Sequence, residues 1–573
     1  MKKYISMIAA GLMMVSCVDT IILPDDKTVD EDFWKSKADV ALMVNGAYKD
    51  MLSDAVITRL IVWNGLRSDE LLPTGRETGR LMEDLRDINL ANTQPTNQFV
   101  TWGSLYTVIN DCNIVLERAG AVMEEDPSYA QGDYLADCSQ MLALRSLCYF
   151  YLVRNFRDVP YITKAYMTSS QDRNVPQAAP DSVLAGCIKD LQEAEKNAIA
   201  ANAYNDWRRV GYFTRDAIQA LLADIYLWRG SVNHSVADYE QCVYYCDKVI
   251  ESKKSQHVRG RDEVTEKEYP LATGRNAFRE LFIYQNAEES IFELQFNGNP
   301  NSCNALCQYY YHISSRSPRP YLYAADIFKS GGDVYKERVT ADWRGRMDTY
   351  SDEQQTQDGI EATSVRKFVA NGVDYYPQTT GNDADKMTSR GETYYQQNYV
   401  VYRLTDVMLM KAEALMAMAT SDEDVTHLRP AFNLVQAVNL RSLENESDSL
   451  LWNTYSDRNR LEAVILNERL RELAFEGKRW YDLLRYNYRH VEGVDYTTTL
   501  ADQDERGIAL VENYMEMRTL ATRKLKTHAN AVVSKVNTEA RLYLPVGEED
   551  LKVCPVLKQM PTYSSDADYS KDY

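Results

Sequence analysis

Histidine, basic charge, long apolar runs and regularly spaced cysteines are all scarce in this chain of 573 residues, and each shortage removes a class of function. The six histidines, His234, His257, His312, His427, His490 and His528, form no H-E-x-x-H, and none accompanies a nucleophile elbow or a phosphate loop. The familiar motifs of zinc peptidases, serine hydrolases and P-loop enzymes are therefore missing. Lys and Arg number 64 against 84 Asp and Glu, a net charge of −20, which argues against nucleic acid or an anionic membrane face as partner. Carboxylates are plentiful, so composition alone leaves a glycosidase pair open. Chance pairing is inevitable among so many, however, and the expectation is a protein that is not an enzyme and carries no cofactor or metal.

The longest apolar run near the start, Tyr4 to Met14, is too short for a mature spanning helix. Lys2 and Lys3 precede it and Met14-Val15-Ser16-Cys17 follows, an arrangement that resembles a bacterial lipobox. Residues 1–16 read as a lipoprotein signal peptide and Cys17 as the lipidated residue, with 17–32, acidic over Asp25 to Asp32, as a tether. Several acyl chains at about 0.8 kcal/mol per buried CH₂ anchor a protein that has no spanning helix. Setting Cys17 aside leaves nine cysteines, an odd number without the spacing of a disulfide framework. Cys242-x3-Cys246 and Cys303-x3-Cys307 each put two thiols on one helical face, but no histidine lies near enough to complete a zinc set. They read as buried free thiols.

What is abundant is tyrosine: 40, beside 8 Trp and 13 Phe. Its apolar ring and polar tip suit sugars, peptides and ordinary helix packing alike. The most informative stretch is Arg458 to Arg485. At 100° per residue Leu466, Leu470, Leu473, Gly477, Trp480 and Leu484 form one stripe, predicting a single helix with Gly477 under a passing backbone. Arg469, Glu472, Glu476 and Arg479 recur at three and four residues on its flank. Spacing alone reads as a solvated face with ordinary ion pairs; the arginine neighbours equally allow a fixed ionised network.

ERLRELAFEGKRWYDLLRY, residues 468–486, resembles the signature helix of the SusD/RagB family, with Glu468, Arg469, Glu472, Leu473, Phe475, Glu476, Gly477, Arg479, Trp480, Asp482, Leu483 and Arg485 in place. RSLCYFYLVRNFRDVPYI resembles a second family segment, with Arg157 where glycine is usual, and LYLPVGEEDLKVCPVLKQMPTY resembles its closing segment. The resemblance implies a mostly α fold of tetratricopeptide-like hairpins with a large irregular, loop-rich insertion containing short strands. Residues 33–573 then form one domain: a helical scaffold over 33–252 and 400–490, an irregular ligand-binding insertion over 253–400, and a C-terminal segment over 491–573. Within it, periodicity predicts helices over Trp102–Glu124, Tyr129–Asn155, Asp181–Ala201, Thr214–Arg229, Val236–Ser252, Tyr402–Ala419 and Arg429–Arg441. Residues 64–100 read as a long loop, Glu289–Phe296 as a strand, and Tyr321–Lys329 as helical.

Family members are outer-membrane lipoproteins that bind nutrients and deliver them to a TonB-dependent transporter. The resemblance thus implies an oligosaccharide or peptide ligand, a SusC-like TonB-dependent outer-membrane transporter as partner, a lipid anchor in the outer membrane facing the cell exterior, and no nucleic acid. Ligand sites in the family combine the early loop with the middle region, which brings Arg67, Asp69, Glu70, Arg76 and Arg80 together with Tyr309, Tyr310, Tyr311, Trp343 and Tyr375. Rival readings are a lipoprotein hydrolase and a tetratricopeptide assembly scaffold. The lipobox reading has a direct test: Cys17→Ala should leave the protein soluble or unprocessed, and unchanged partition into detergent with the outer membrane would refute it.

Overall fold

Helical periodicity produces twelve helices of eight or more residues among the described residues. The computed structural model describes residues 33–74, 79–257, 264–265, 268–296, 304–310, 321–328, 334, 342–346, 365, 367–368, 370–374, 386–389, 396–503, 523–525, 528–536 and 538–563. The twelve are α1 (Lys37–Met51), α2 (Asp54–Ile61), α3 (Arg80–Asn89), α4 (Gly103–Glu125), α5 (Gln131–Phe156), α6 (Pro180–Asn197), α7 (Arg215–Asn233), α8 (Val236–Gln256), α9 (Leu404–Met418), α10 (Val425–Arg441), α11 (Arg458–Glu472) and α12 (Arg479–Arg489). Local chemistry fixes several ends. Ser36 and Asp39 make a reciprocal capping box on α1, and Pro180 opens α6, where its missing N–H costs nothing. Between α7 and α8 the chain reverses through His234 in the left-handed region at φ 51°, and Ser235 caps the Asp238 N–H.

The helices pack in a row: α1 on α4, α4 on α5, α5 on α6, α6 on α7, α7 on α8, α8 on α9 and α9 on α10. The α7/α8 and α9/α10 hairpins are the two pairs visible in the sequence. The chain leaves this row at Gln256 and rejoins it at Leu404, so α8 packs on a helix far away in sequence. Ala412 and Ala414 are fully buried in α9, where small side chains allow that approach. Cys242 and Cys246 are both buried and free, their sulfurs 4.0 Å apart in α8.

Strands are few and short. Ser290–Leu294, expected as a strand, pairs antiparallel with Tyr399–Arg403. The latter displaces the expected helix start, which begins only at Leu404. Of the stretch Tyr321–Lys329, expected as helical, the described part is a strand over Leu322–Ala324 and a single 3₁₀ turn over Asp326–Phe328. Residues 64–100, expected as loop, contain the strand Leu71–Pro73 and helix α3. Where the family carries glycine, Arg157 follows α5 at φ 62°. A non-glycine residue there is strained. The structure holds it with ion pairs to Asp158 and Glu539, hydrogen bonds to the carbonyls of Asp495 and Thr498, and the Tyr496 ring beneath its guanidinium.

The predicted single helix over Arg458–Arg485 is two helices with an elbow between them. α11 stops at Glu472, Phe475 and Gly477 take φ 64° and 71°, and α12 starts at Arg479. Gly477 is needed for that positive φ and for the Tyr399 hydroxyl, which occupies the space a Cβ would fill. Gly477→Ala should therefore destabilise the protein by about 1–3 kcal/mol. A thermal midpoint equal to wild type would show that the elbow tolerates a side chain.

Candidate ligand site

The elbow exposes no solvated charge stripe. Glu472, Glu476, Arg469 and Arg479 are all buried, and they pair with distant segments rather than along one helix. Arg403, at the end of its strand, contacts Glu472, bonds Glu476 at 2.9 Å and reaches Glu289 at 3.2 Å. Arg441 of α10 bridges Glu289 and Glu472, and Arg344 spans Asp342, Glu468 and Glu472 at 2.7–3.0 Å. Lys367 donates to Glu476 and to the carbonyls of Glu472 and Ala474. Arg469 lies between Asp406 and Asp482, and Arg485 forks onto Glu413 at 2.8 Å. The fixed ionised network is the arrangement found, because burial leaves each charge stable only with opposite charge against it.

The early segment is drawn into the same knot. Asp69 takes two bonds from Arg479, at 2.8 and 3.1 Å, and is buried. Glu70 accepts the Phe475 N–H at 2.8 Å; burial pushes its carboxyl up to about 8, the Phe475 bond offsetting only part of this, so it carries a proton at neutral pH. Arg67 lies over the Trp480 ring at 4.4 Å and donates to Asn155 and the Leu542 carbonyl. In the described structure these three contact the scaffold, Asp69 and Glu70 buried and Arg67 half-exposed beside Trp480. Tyr310 is also buried, stacked on Phe368 at 6.3 Å. A side chain with no solvent contact meets no ligand without rearrangement. Arg76, Tyr311 and Tyr375, like Cys17, lie outside the described residues.

The early and middle segments nevertheless meet. Leu71–Pro73 pairs antiparallel with Leu322–Ala324, the Thr74 N–H donates to the Tyr321 carbonyl, and the Ala325 N–H to that of Glu70. At this joint the Tyr309 ring stands edge-on to Tyr321 at 5.3 Å; Tyr309 is mostly buried, while Tyr321 and Tyr323 are half-exposed. Arg80, exposed at the start of α3, donates to the Thr96 carbonyl at 2.8 Å. Trp343 sits elsewhere, half-buried over the ionic knot, its N–H bonded to the Ser442 carbonyl at 2.8 Å. It helps line a small cavity of about 40 Å³ with Phe278, Arg344, Lys367, Arg403 and Glu472. The partners Glu289, Lys367, Arg403 and Arg441 carry no local signal in sequence; each is an ordinary charged residue until the fold brings it to the elbow.

Described residues contain no helix long and apolar enough to cross a membrane and no His/Cys/Asp/Glu group able to hold a metal ion. A row of helical hairpins braced by a buried ionic elbow, with aromatic side chains on a joint between irregular segments, is the build of a binding scaffold. Residues 310–563 match the SusD family and residues 25–227 a family described as "Starch-binding associating with outer membrane". The chain belongs to the SusD/RagB family, whose members are binding proteins. SusD-like protein P38 of Formosa agariphila is 23% identical over 517 residues, covering 85% of this chain and 92% of the relative. SusD-like protein P2 of the same organism is 24% identical over 519 residues, covering 85% and 91%. The crystal structure of a SusD homolog from Bacteroides thetaiotaomicron shares the fold at a TM-score of 0.67 and 18% identity, covering 92% of this chain and 98% of that one. A laminarin-binding SusD-like protein does so at 0.62 and 19%, covering 92% and 100%.

The knot predicts acid sensitivity. Burial alone would raise the Asp406 carboxyl, but Lys478 and Arg469 outweigh it and hold the group at about 2. A lowered carboxylate pKa contributes stability above the unfolded value near 4 and loses it as pH falls toward 2. The loss from this group should be about 2 kcal/mol between pH 4.5 and 2. Thermal unfolding across that range should fall more steeply for wild type than for Asp406→Asn; parallel curves would remove Asp406 from the acid response.

Proposed function

We propose that this protein is a lipid-anchored receptor on the exterior of the outer membrane that captures a glycan and passes it to a TonB-dependent transporter. Ligand binds at the joint of Leu71–Pro73 with Leu322–Ala324. The observation that carries this reading is the joint itself: the two irregular segments pair there and leave Tyr321, edge-on to Tyr309, and Tyr323 half-exposed. Flat aromatic faces meet the C–H face of a sugar while polar groups such as Arg80 reach its hydroxyls. The name of the laminarin-binding neighbour supports a glycan over a peptide. With Asp69, Glu70 and Tyr310 buried in the scaffold and Arg67 laid on Trp480, the contact set among the described residues is Tyr309, Tyr321, Tyr323 and Arg80. Trp343 lies at the knot and stands outside this set.

A glycan and peptide array identifies the ligand, and calorimetry with that ligand tests the site. Tyr321→Ala should weaken binding about tenfold, equivalent to about 1.4 kcal/mol, with an unchanged melting curve. Trp343→Ala should bind as wild type does. Full affinity in Tyr321→Ala, or capture of peptides alone, would refute the reading.

A further inference from the structure

Trp207 is the outlier among the tryptophans. Trp34, Trp63, Trp102, Trp228 and Trp480 are buried, whereas Trp207 is 45% exposed on the connection between α6 and α7. A lone exposed aromatic is ordinary; this one is the outer member of a cluster. Tyr212 stands edge-on to it at 5.3 Å, Tyr204 contacts Tyr212 at 6.3 Å, and Tyr212 stacks on Tyr48 of α1 at 5.1 Å. The six-membered edge of the indole lies against Gly211, where a Cβ would come within 2.6 Å of Trp207 Cε3. The ring is therefore held by backbone and Tyr212 while nearly half the residue faces water.

The polar surroundings are equally fixed. Asp206 accepts four bonds from Arg208, one from its backbone N–H and three from its guanidinium, at 2.8–3.1 Å, and that guanidinium lies over Tyr204 at 5.1 Å. Asp206 and Arg208 are both exposed, and no bond of Arg208 uses Nη1 among the described residues. Tyr212 donates to the Asn45 side chain at 2.6 Å, leaving the exposed Asn45 amide N–H₂ pointing for use elsewhere. A supported indole beside an ordered carboxylate, a free guanidinium edge and an amide matches a pyranose: one C–H face to stack, equatorial hydroxyls that donate to Asp206 and accept from Arg208 and Asn45.

We propose that Trp207, with Tyr204, Tyr212, Asp206, Arg208 and Asn45, is a second carbohydrate-binding platform, carried on the helical scaffold and separate from the Tyr309–Tyr321 joint. It rests on the glycan reading above and adds to it a subsite that grips a second unit or chain of the same neutral polysaccharide. Two grips on one polymer raise avidity through effective concentration without any new contact at either.

The test uses the full chain without its leader, titrated with soluble laminarin, starch, xylan and galactan. Variants are Trp207→Ala, Gly211→Ala and Tyr321→Ala. For the polysaccharide that binds wild type, Trp207→Ala should weaken apparent affinity at least fivefold with an unchanged melting midpoint. Gly211→Ala, which leaves the indole in place chemically but displaces it, should weaken affinity in the same direction. The bound polysaccharide should also protect Trp207 from N-bromosuccinimide oxidation, read by mass spectrometry. Wild-type affinity in Trp207→Ala together with unprotected Trp207 overturns the platform and leaves the joint standing if Tyr321→Ala still weakens binding. Loss of transporter capture in Trp207→Ala with polysaccharide affinity intact makes this surface a protein contact and also overturns it. No binding of wild type to any of the four, with capture of peptides alone on the array, overturns both readings.

Discussion

Two buried carboxylates at a chain reversal govern this structure. Glu472 and Glu476 flank the elbow between α11 and α12, and both are stripped of water. Burying an isolated carboxylate is prohibitive, so each requires cations brought from elsewhere. Glu472 draws Arg344, Arg403 and Arg441, and Glu476 draws Arg403 and Lys367. Those cations come from the irregular insertion, the returning strand and α10. Meeting the demand of one elbow therefore ties the two halves of the helical row to the segments between them. Net stabilisation from such a network is modest, because desolvation opposes the attraction; its larger effect is to disfavour arrangements that leave any member unpaired.

The same constraint shapes the joint proposed above as the ligand surface. Because Asp69 belongs to Arg479 and Glu70 to the Phe475 N–H, the early segment is anchored at its base. Leu71–Pro73 then emerges from a rigid point and pairs with Leu322–Ala324. A joint held by backbone bonds on one side and ion pairs below keeps Tyr309 and Tyr321 in a fixed relation, lowering the ordering cost of binding.

Arg157 illustrates how far this logic extends. The turn after α5 requires positive φ, for which glycine is the undemanding choice, yet arginine stands there. Its ion pairs with Asp158 and Glu539 and its hold on the 495–498 backbone join the helical row to the C-terminal segment. Backbone strain is offset by tertiary contacts, and the departure from the family pattern coincides with a cross-link.

Much of the scaffold was legible in the sequence because it rests on local rules. Apolar spacing located α4 to α10, alternation located Ser290–Leu294, and the density of residues 468–485 identified the family. Periodicity failed at the elbow, where leucines continue at helical spacing through Phe475 and Gly477 although the backbone turns; the angular count is blind to a positive φ accompanied by contacts with Tyr399 and the Glu70 carboxyl group. It failed again for Arg67, Asp69 and Glu70, since a charged residue in a loop looks the same whether it faces solvent or a buried arginine. What the sequence determined by itself was most of the helical row, α4 to α10, and the family, properties of residues within a few turns of one another. Which charges are buried, which tyrosines stay wet and which irregular segments meet was decided by the tertiary structure alone, because burial and ion pairing depend on partners hundreds of residues away.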